Sequence, residues 1–309
     1  MRRVVVSEYL QEQFLTRIGA DFEVVYDADL YADRPRLLHE AAGAEAIIIR
    51  NRTRIDREFL QSASALKVVG RLGVGLDNID MAACSNAGVR VIPAVGANAV
   101  SVAEYVIAAM LVLRRRVFGM TESMIAGQWP RQGHAFGHEL MMSTLGLIGY
   151  GSVARQVAAR AAALEMRIVA YDPYLPDDDP GWQGAEKMEL DELLAQADVV
   201  SLHTPLLEET KNLIDAAAFE KMKPEAVLIN TSRGGIVNEI ALAAALRDGS
   251  IAGAAVDVFA SEPLGPEPAA RFRGLENLIL TPHVAGNTHE SVDRVAELIT
   301  SAVLESLGS

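Results

Sequence analysis

The chain has 309 residues, enough for two domains of ordinary size, and half of them are hydrophobic, enough for a sizeable core. A net charge of −13 argues against non-specific nucleic-acid binding and against docking on an acidic membrane surface, although a local arginine can still hold an anionic ligand. Cys84 is the only cysteine, which excludes an intramolecular disulfide and a cysteine metal cluster, and the chain enters Val4–Val6 with no signal-peptide pattern and no apolar run long enough to span a bilayer, so it reads as a cytoplasmic protein with no membrane or metal partner.

Val4–Val6, Phe22–Tyr26, Ala46–Ile49 and Leu66–Val69 are short apolar runs suited to strands, alternating with polar or helical segments such as Leu37–Ala42, closed by Gly43. That alternation predicts a small parallel sheet. Gly70-Arg71-Leu72-Gly73-Val74-Gly75-Leu76-Asp77-Asn78-Ile79-Asp80 follows the fourth run, and three glycines in six residues predict a loop whose amides face a ligand. Asp77 is the expected cap of a helix running to Asn86 and stopped by Gly88. Val89–Ile92 is another strand. Ser101–Val117 reads as one long helix, with Ser101 and Glu104 as a capping box and Arg114-Arg115-Arg116 at its C-terminus. The rhythm breaks from Thr121 to Met142, where Trp129, Pro130, Arg131, His134, Phe136 and His138 suit packing or an interface. His138-Glu139 lacks the second histidine of a zinc helix.

Thr144 to Val169 holds the strongest local pattern. Leu145–Ile148 reads as a buried strand, Gly149-Tyr150-Gly151 as a tight turn, Ala154–Leu164 as a helix and Met166–Ala170 as a second strand. Two glycines at that spacing let a diphosphate approach backbone N–H groups at a helix N-terminus, and Asp172, 21 residues after Gly151, stands where a carboxylate accepts from an adenosine ribose. The glycines alone also fit an ordinary turn in another doubly wound domain; the third position, usually glycine, is Ala154. Further strands end in loops of unusual chemistry: Val199–Leu202 in His203-Thr204-Pro205, Val227–Asn230 in Thr231-Ser232-Arg233-Gly234-Gly235, and Asn277–Leu280 in Thr281-Pro282-His283. Ala254–Val258 is a strand between them, Asp215 is the expected cap of a helix ending near Lys221, and Asn238–Asp248 reads as a helix ended by Gly249. Asn287 opens the last helix, which has no strand of its own to cover.

Taken together, these segments resemble the D-2-hydroxyacid dehydrogenases, the group that includes 3-phosphoglycerate, glyoxylate/hydroxypyruvate, D-lactate and formate dehydrogenases. The likeness is carried by Gly70–Asp80, Ser101-Val102-Ala103-Glu104, the Gly149 turn, His203-Thr204-Pro205, Asn230–Gly235, Val256-Asp257-Val258-Phe259 with Glu262-Pro263, and Thr281-Pro282-His283. It implies an α/β fold with a Rossmann-type doubly wound parallel sheet at 98–286 and a smaller flavodoxin-like α/β substrate domain at 1–97, to which the helix at 287–309 returns. It implies Arg233, Glu262 and His283 as the catalytic three. It implies contacts to NAD, with NADP left open, from Gly149, Gly151, Ser152, Val153, Asp172, His203, Thr204, Pro205, Thr231, Asp257 and Gly286. Ala154 departs from the family pattern, as does Asn238-Glu239, and no long C-terminal extension of the kind some phosphoglycerate dehydrogenases carry follows residue 309.

The residue chemistry agrees with that carry-over. Reducing a 2-oxo acid requires a cation on its carboxylate and carbonyl oxygen, for which Arg233 has the planar fork. It also requires a proton at that oxygen, which His283 can deliver while Glu262 keeps it charged and oriented. The amides of Val74 and Gly75 supply a further carboxylate contact. Arg50-Asn51-Arg52-Thr53-Arg54 resembles members that act as sulfolactate or phosphoglycerate dehydrogenases, so the expected substrate is a small 2-hydroxy or 2-oxo acid carrying a second anionic group. Arg52 is the leading candidate for that group; Arg71 is a second, or a support for the glycine loop. The alternatives are a broad glyoxylate/hydroxypyruvate reductase and, in another class, a dinucleotide-binding corepressor or sensor acting through partner contacts. A homodimer through the cofactor domain is expected at Thr121–Met142, and His134, His138 and His289 read as structural or solvent-facing.

Overall fold

Short runs of β-branched residues bounded by turns build two parallel sheets in the computed structural model, which describes residues 2–131 and 136–308. The chain divides into two units, Met1–Asn98 with Asn287–Ser309 and Ala99–Gly286. His134 lies outside the described residues. Among the described residues no helix is long and apolar enough to cross a membrane.

The first unit holds β1 (Arg3–Val6), β2 (Glu23–Tyr26), β3 (Ala44–Ile49), β4 (Val68–Arg71) and β5 (Arg90–Pro93), all parallel in the order β2-β1-β3-β4-β5. That is the flavodoxin-like order, with its reversal between β1 and β3. Val4, Val5, Val6 and Ile47–Ile49 are fully buried, because helices cover both faces of the sheet and leave no polar side for alternation. The helix His289–Leu307 packs on β4 through Val295, Ile299 and Val303. Two expectations need correction here. Gly70 and Arg71 belong to β4 and not to the following loop. Gly70 serves packing: a Cβ on it would lie 2.6 Å from Val303 Cγ2 and 2.7 Å from Ile299 Cγ2. The helix Met81–Asn86 is capped by Asp80, whose carboxylate accepts from the Ala83 N–H at 2.9 Å, and not by Asp77. A parallel bridge between Ile55 and Ile79 keeps the chain extended up to that point.

The second unit opens with the helix Ala99–Arg115. Its seven strands are β6 (Thr144–Ile148), β7 (Arg167–Tyr171), β8 (Glu186–Lys187), β9 (Val199–Leu202), β10 (Val227–Asn230), β11 (Gly253–Val256) and β12 (Leu278–Leu280). All are parallel, in the order β12-β11-β10-β9-β6-β7-β8. This is the doubly wound dinucleotide-binding order, reversing between β6 and β9. The opening helix packs along the helix Ser152–Ala162 and over β10 and β11, burying Val106 and Met110 completely. It begins at Ala99, so Ser101 is its third residue and not its N-cap; burial of Ala99 and Val102 sets the start earlier than the polar signal does. Glu104 instead lies 3.8 Å from Arg160. After a short helix, Thr121–Ile125, the chain is irregular as far as it is described, and Ile125, Trp129 and Phe136 are more than 70% exposed.

Gly70 gives a direct test of the packing between β4 and the last helix. Gly70→Ala should lower the unfolding free energy by about 1–3 kcal/mol, the usual cost of overpacking. Urea denaturation followed by circular dichroism measures it, and wild-type stability would show that the last helix does not press on this strand.

Candidate active site

At the reversal of the second sheet, β6 delivers the glycine turn. Gly149 takes φ +85°, and a Cβ there would lie 2.7 Å from the carbonyl oxygen of His203, so the turn lies hard against the end of β9. The Tyr150 N–H donates to Asp172 Oδ2 at 2.9 Å and the Tyr174 N–H to Asp172 Oδ1 at 3.0 Å, which ties the carboxylate after β7 to the turn after β6. Gly151 is the N-cap of the helix Ser152–Ala162 and offers no side-chain acceptor to its first amides, while a Cβ on Gly151 would meet nothing within 4 Å. Ser152 is exposed and Val153 half-buried at that helix start; Ala154 is fully buried, so its methyl fits where the pattern usually has glycine. Thr231, after β10, keeps a buried Oγ1 without a partner among the described residues. An open helix N-terminus, an anchored carboxylate and an orphaned hydroxyl suit a dinucleotide's diphosphate, ribose and polar edge. His203 Nε2 lies 2.9 Å from Ser201 Oγ, and burial of the ring takes its pKa down to about 3. Thr204 and Pro205 continue from it at the surface.

The catalytic candidates lie at the ends of β10, β11 and β12. Asn230 orders the turn after β10: its amide donates to the Arg233 carbonyl at 3.0 Å, and its oxygen accepts from the Ser232 N–H and hydroxyl, each at 3.1 Å. A Cβ on Gly234 would fall 1.9 Å from the Phe259 backbone, so the Arg233 turn rests directly on the segment leading to Glu262. Glu262 Oε1 accepts from the Phe259 N–H at 2.9 Å, and Glu262 Oε2 lies 2.7 Å from His283 Nδ1. An ionised carboxylate only accepts, so Nδ1 carries the proton in this pair and Nε2 is the position that exchanges one. Beneath them Asp257, 1% exposed, accepts from Thr281 Oγ1 at 2.5 Å and from the N–H groups of Val284 and Ala285, both at 2.9 Å. Its carbonyl accepts from the His283 N–H at 2.8 Å. These bonds hold His283 at φ +56°, a conformation few residues other than glycine adopt. Gly286 follows this loop, half-buried.

In the first unit the sheet reversal lies between β1 and β3, and Glu8 follows β1 there. It is 4% exposed and accepts from the N–H groups of Arg50 at 2.7 Å, Thr53 at 3.0 Å and Arg52 at 3.2 Å. Asn78 clamps the same loop, donating to the Thr53 carbonyl at 2.6 Å and the Arg50 carbonyl at 3.1 Å. Arg52 extends over the Tyr31 ring, 5.0 Å from its centroid, and bonds the Tyr31 hydroxyl. Arg71 folds back over Gly73 and donates to the Leu72 carbonyl at 3.0 Å, which suits support of the glycine loop. Val74 is 39% exposed beside it and Gly75 is also accessible. The sequence does not disclose Glu8, Tyr31 or the loop-holding bonds of Asp257, because their partners lie more than 20 positions away along the chain.

The family model described as D-isomer specific 2-hydroxyacid dehydrogenase, NAD binding domain, matches residues 107–285. The (S)-sulfolactate dehydrogenase of Chromohalobacter salexigens is 50% identical over 309 residues, which is 100% of this chain and 99% of that protein. The chain belongs to the D-isomer specific 2-hydroxyacid dehydrogenase family. It is also 38% identical over 305 residues to the D-3-phosphoglycerate dehydrogenase of Archaeoglobus fulgidus, covering 98% of this chain but only 56% of that protein, so it spans little more than half of that relative. The D-lactate dehydrogenase of Aquifex aeolicus, solved with NAD and lactic acid, superposes with a TM-score of 0.85 at 28% identity, over 98% of this chain and 94% of that one. As a D-2-hydroxyacid dehydrogenase, the chain is an NAD(P)-dependent oxidoreductase that transfers hydride at a 2-hydroxyacid. The fold class read from sequence, two α/β domains with parallel sheets, holds.

His203 carries a pH signature in this dehydrogenase. Its folded pKa, about 3, lies below the unfolded value of 6.5, so between those values the unfolded chain binds more protons. Its contribution is zero above pH 6.5, and stability falls as pH drops through that window, at up to about 1.4 kcal/mol per pH unit. His203→Asn should remove that component of the slope in denaturation curves taken between pH 6.5 and 4.5. An unchanged slope would show the ring to be charged in the folded enzyme.

Proposed function

We propose that the chain interconverts a small 2-hydroxy acid bearing a second anionic group, of the sulfolactate type, with its 2-oxo acid, using NAD in preference to NADP. The full-length identity of 50% to an (S)-sulfolactate dehydrogenase carries this reading. The nicotinamide accepts or gives the hydride at C2 when it is bound. Arg233 holds the substrate carboxylate and polarises the C2 oxygen. His283 moves a proton to or from that oxygen through Nε2, and Glu262 fixes its tautomer and steadies its positive form. The Val74 and Gly75 amides take the carboxylate's other contact, and Arg52 the second anionic group. Gly149, Gly151, Ser152 and Val153 approach the diphosphate, Asp172 the adenosine ribose, and His203, Thr204, Pro205, Thr231 and Gly286 line the remainder of the cofactor, while Asp257, whose oxygens face the 281–285 loop, holds that loop in place. A carboxylate at Asp172 accepts from a 2′-hydroxyl and repels a 2′-phosphate, hence NAD.

The stacking of Arg52 on Tyr31 favours a second reading, a broad glyoxylate/hydroxypyruvate reductase in which Arg52 only shapes its loop. One set of steady-state measurements decides between them. Wild type, Arg52→Ala and His283→Ala are assayed with NADH and NADPH on glyoxylate, hydroxypyruvate, pyruvate, 3-sulfopyruvate and 3-phosphohydroxypyruvate. His283→Ala should lose about 10²–10⁴ in turnover with NADH affinity kept, as expected for a placed proton donor. Arg52→Ala should lose selectively the preference for a dianionic substrate. Equal efficiency on glyoxylate would establish the broad reductase, and higher efficiency with NADPH would overturn the choice of NAD.

Phe118 and Ile125 line one open apolar hollow on the second unit, and Trp129 and Phe136 are exposed apolar side chains of the same unit. An apolar surface of this kind supports a homodimer through that unit. Light scattering at micromolar protein should give twice the chain mass of 33.2 kDa; a monomer mass refutes it.

A further inference from the structure

We infer that Tyr105 is a positioning residue for His283, acting through Thr281 and Asp257. Tyr105 stands on the helix Ala99–Arg115, with its ring packed against the core beneath the sheet. Its hydroxyl lies 2.7 Å from Thr281 Oγ1, and Thr281 Oγ1 lies 2.5 Å from Asp257 Oδ1. The direction of both bonds follows from valence. An ionised carboxylate has no proton to give, so the single threonine proton goes to Asp257, and Tyr105 must donate to the threonine oxygen. Burial raises the phenol pKa, which keeps that donor protonated. The result is a one-way chain, phenol to hydroxyl to carboxylate, in which each donor polarises the next.

The far end of this chain is the loop that carries His283. The same Asp257 carboxylate receives the N–H groups of Val284 and Ala285, and the Asp257 carbonyl receives that of His283. Tyr105 therefore bonds no reacting group, yet it fixes the rotamer of Thr281, and Thr281 holds the carboxylate on which the loop hangs. Phenylalanine would fill the same space, so the hydroxyl is not explained by packing. With Tyr105 in place, His283 is held on both sides, by Glu262 at Nδ1 and by Asp257 through the backbone.

This inference rests on the reading of His283 as the proton carrier. The test uses the full-length chain as wild type, Tyr105→Phe, Thr281→Val and the double variant, with His283→Ala in parallel. In the chain without added ligand, hydrogen exchange at the Val284 and Ala285 amides should quicken in Tyr105→Phe. With NADH and either 3-sulfopyruvate or hydroxypyruvate, kcat of Tyr105→Phe should fall about fivefold, the size of one net hydrogen bond. KM for the 2-oxo acid and the NADH affinity should stay within about twofold, since the loop's aim changes and not its ligand contacts. Because Tyr105 acts through Thr281, the double variant should be no slower than Thr281→Val alone. Unchanged exchange, unchanged kcat, or multiplicative losses in the double variant would each overturn the inference. If those appear while His283→Ala is inactive, only the Tyr105 inference fails; an active His283→Ala removes the reading beneath it as well.

Discussion

The buried carboxylate of Asp257 at the end of β11 is the point on which the geometry of the proposed catalytic groups depends. Its side chain gathers a hydroxyl and two amides from the loop after β12, and its backbone joins Asn230 on one side and His283 on the other. A carboxylate buried to 1% exposure is costly unless its lone pairs are met, and the 281–285 loop meets them. The loop is thereby held in a shape that puts His283 in the left-handed region and its Nδ1 against Glu262. Glu262 is fixed in turn by the Phe259 amide, and the Arg233 turn rests on Phe259 through Gly234. Three strand ends thus lock one another, and the placing of Arg233, Glu262 and His283 comes from bonds to the backbone more than from side-chain packing.

The first unit uses the same device, there at its sheet reversal. Glu8 is a buried carboxylate met by three amides of the Arg50–Thr53 loop, and Asn78 holds the loop's carbonyls from the other side. In parallel sheets the loops at a reversal diverge and leave a crevice, so each such loop needs a buried polar anchor if it is to present side chains in fixed places. Glu8 is that anchor in the first unit; Asp257 does the same work in the second for the loop after β12, away from the β6–β9 reversal.

The chemistry-bearing stretches were legible because each is contiguous. Gly149–Gly151, Asn230–Gly235 and Thr281–His283 each follow an apolar run, and the run tells where the strand ends. The anchors were not legible. Glu8 meets residues more than 40 positions away and Tyr105 meets Thr281 across 176, and no local spacing encodes such pairs. Capping failed for a different reason. Asp77 and Asp80 are chemically alike, and the Ile55–Ile79 bridge decides between them. At Ser101 a good polar signal lost to the burial of Ala99, because a long helix packed on a sheet gains more from its apolar face than from its cap. Asp257 was read as a cofactor contact; that its oxygens are turned to the 281–285 loop depends on a bend that only the fold creates.

The most direct measurement is single-turnover hydride transfer in Asp257→Asn, with NADH affinity determined by fluorescence titration on the same protein. Asparagine keeps the shape but replaces one acceptor with a donor, which cannot face the Val284 and Ala285 amides. The account predicts a chemical step slowed by about 10² or more, the cost of a small misplacement at the reacting centre, with NADH affinity nearly unchanged. Hydride transfer at the wild-type rate, with NADH affinity lost instead, would contradict it and make Asp257 a cofactor ligand whose bonds to the histidine loop are incidental.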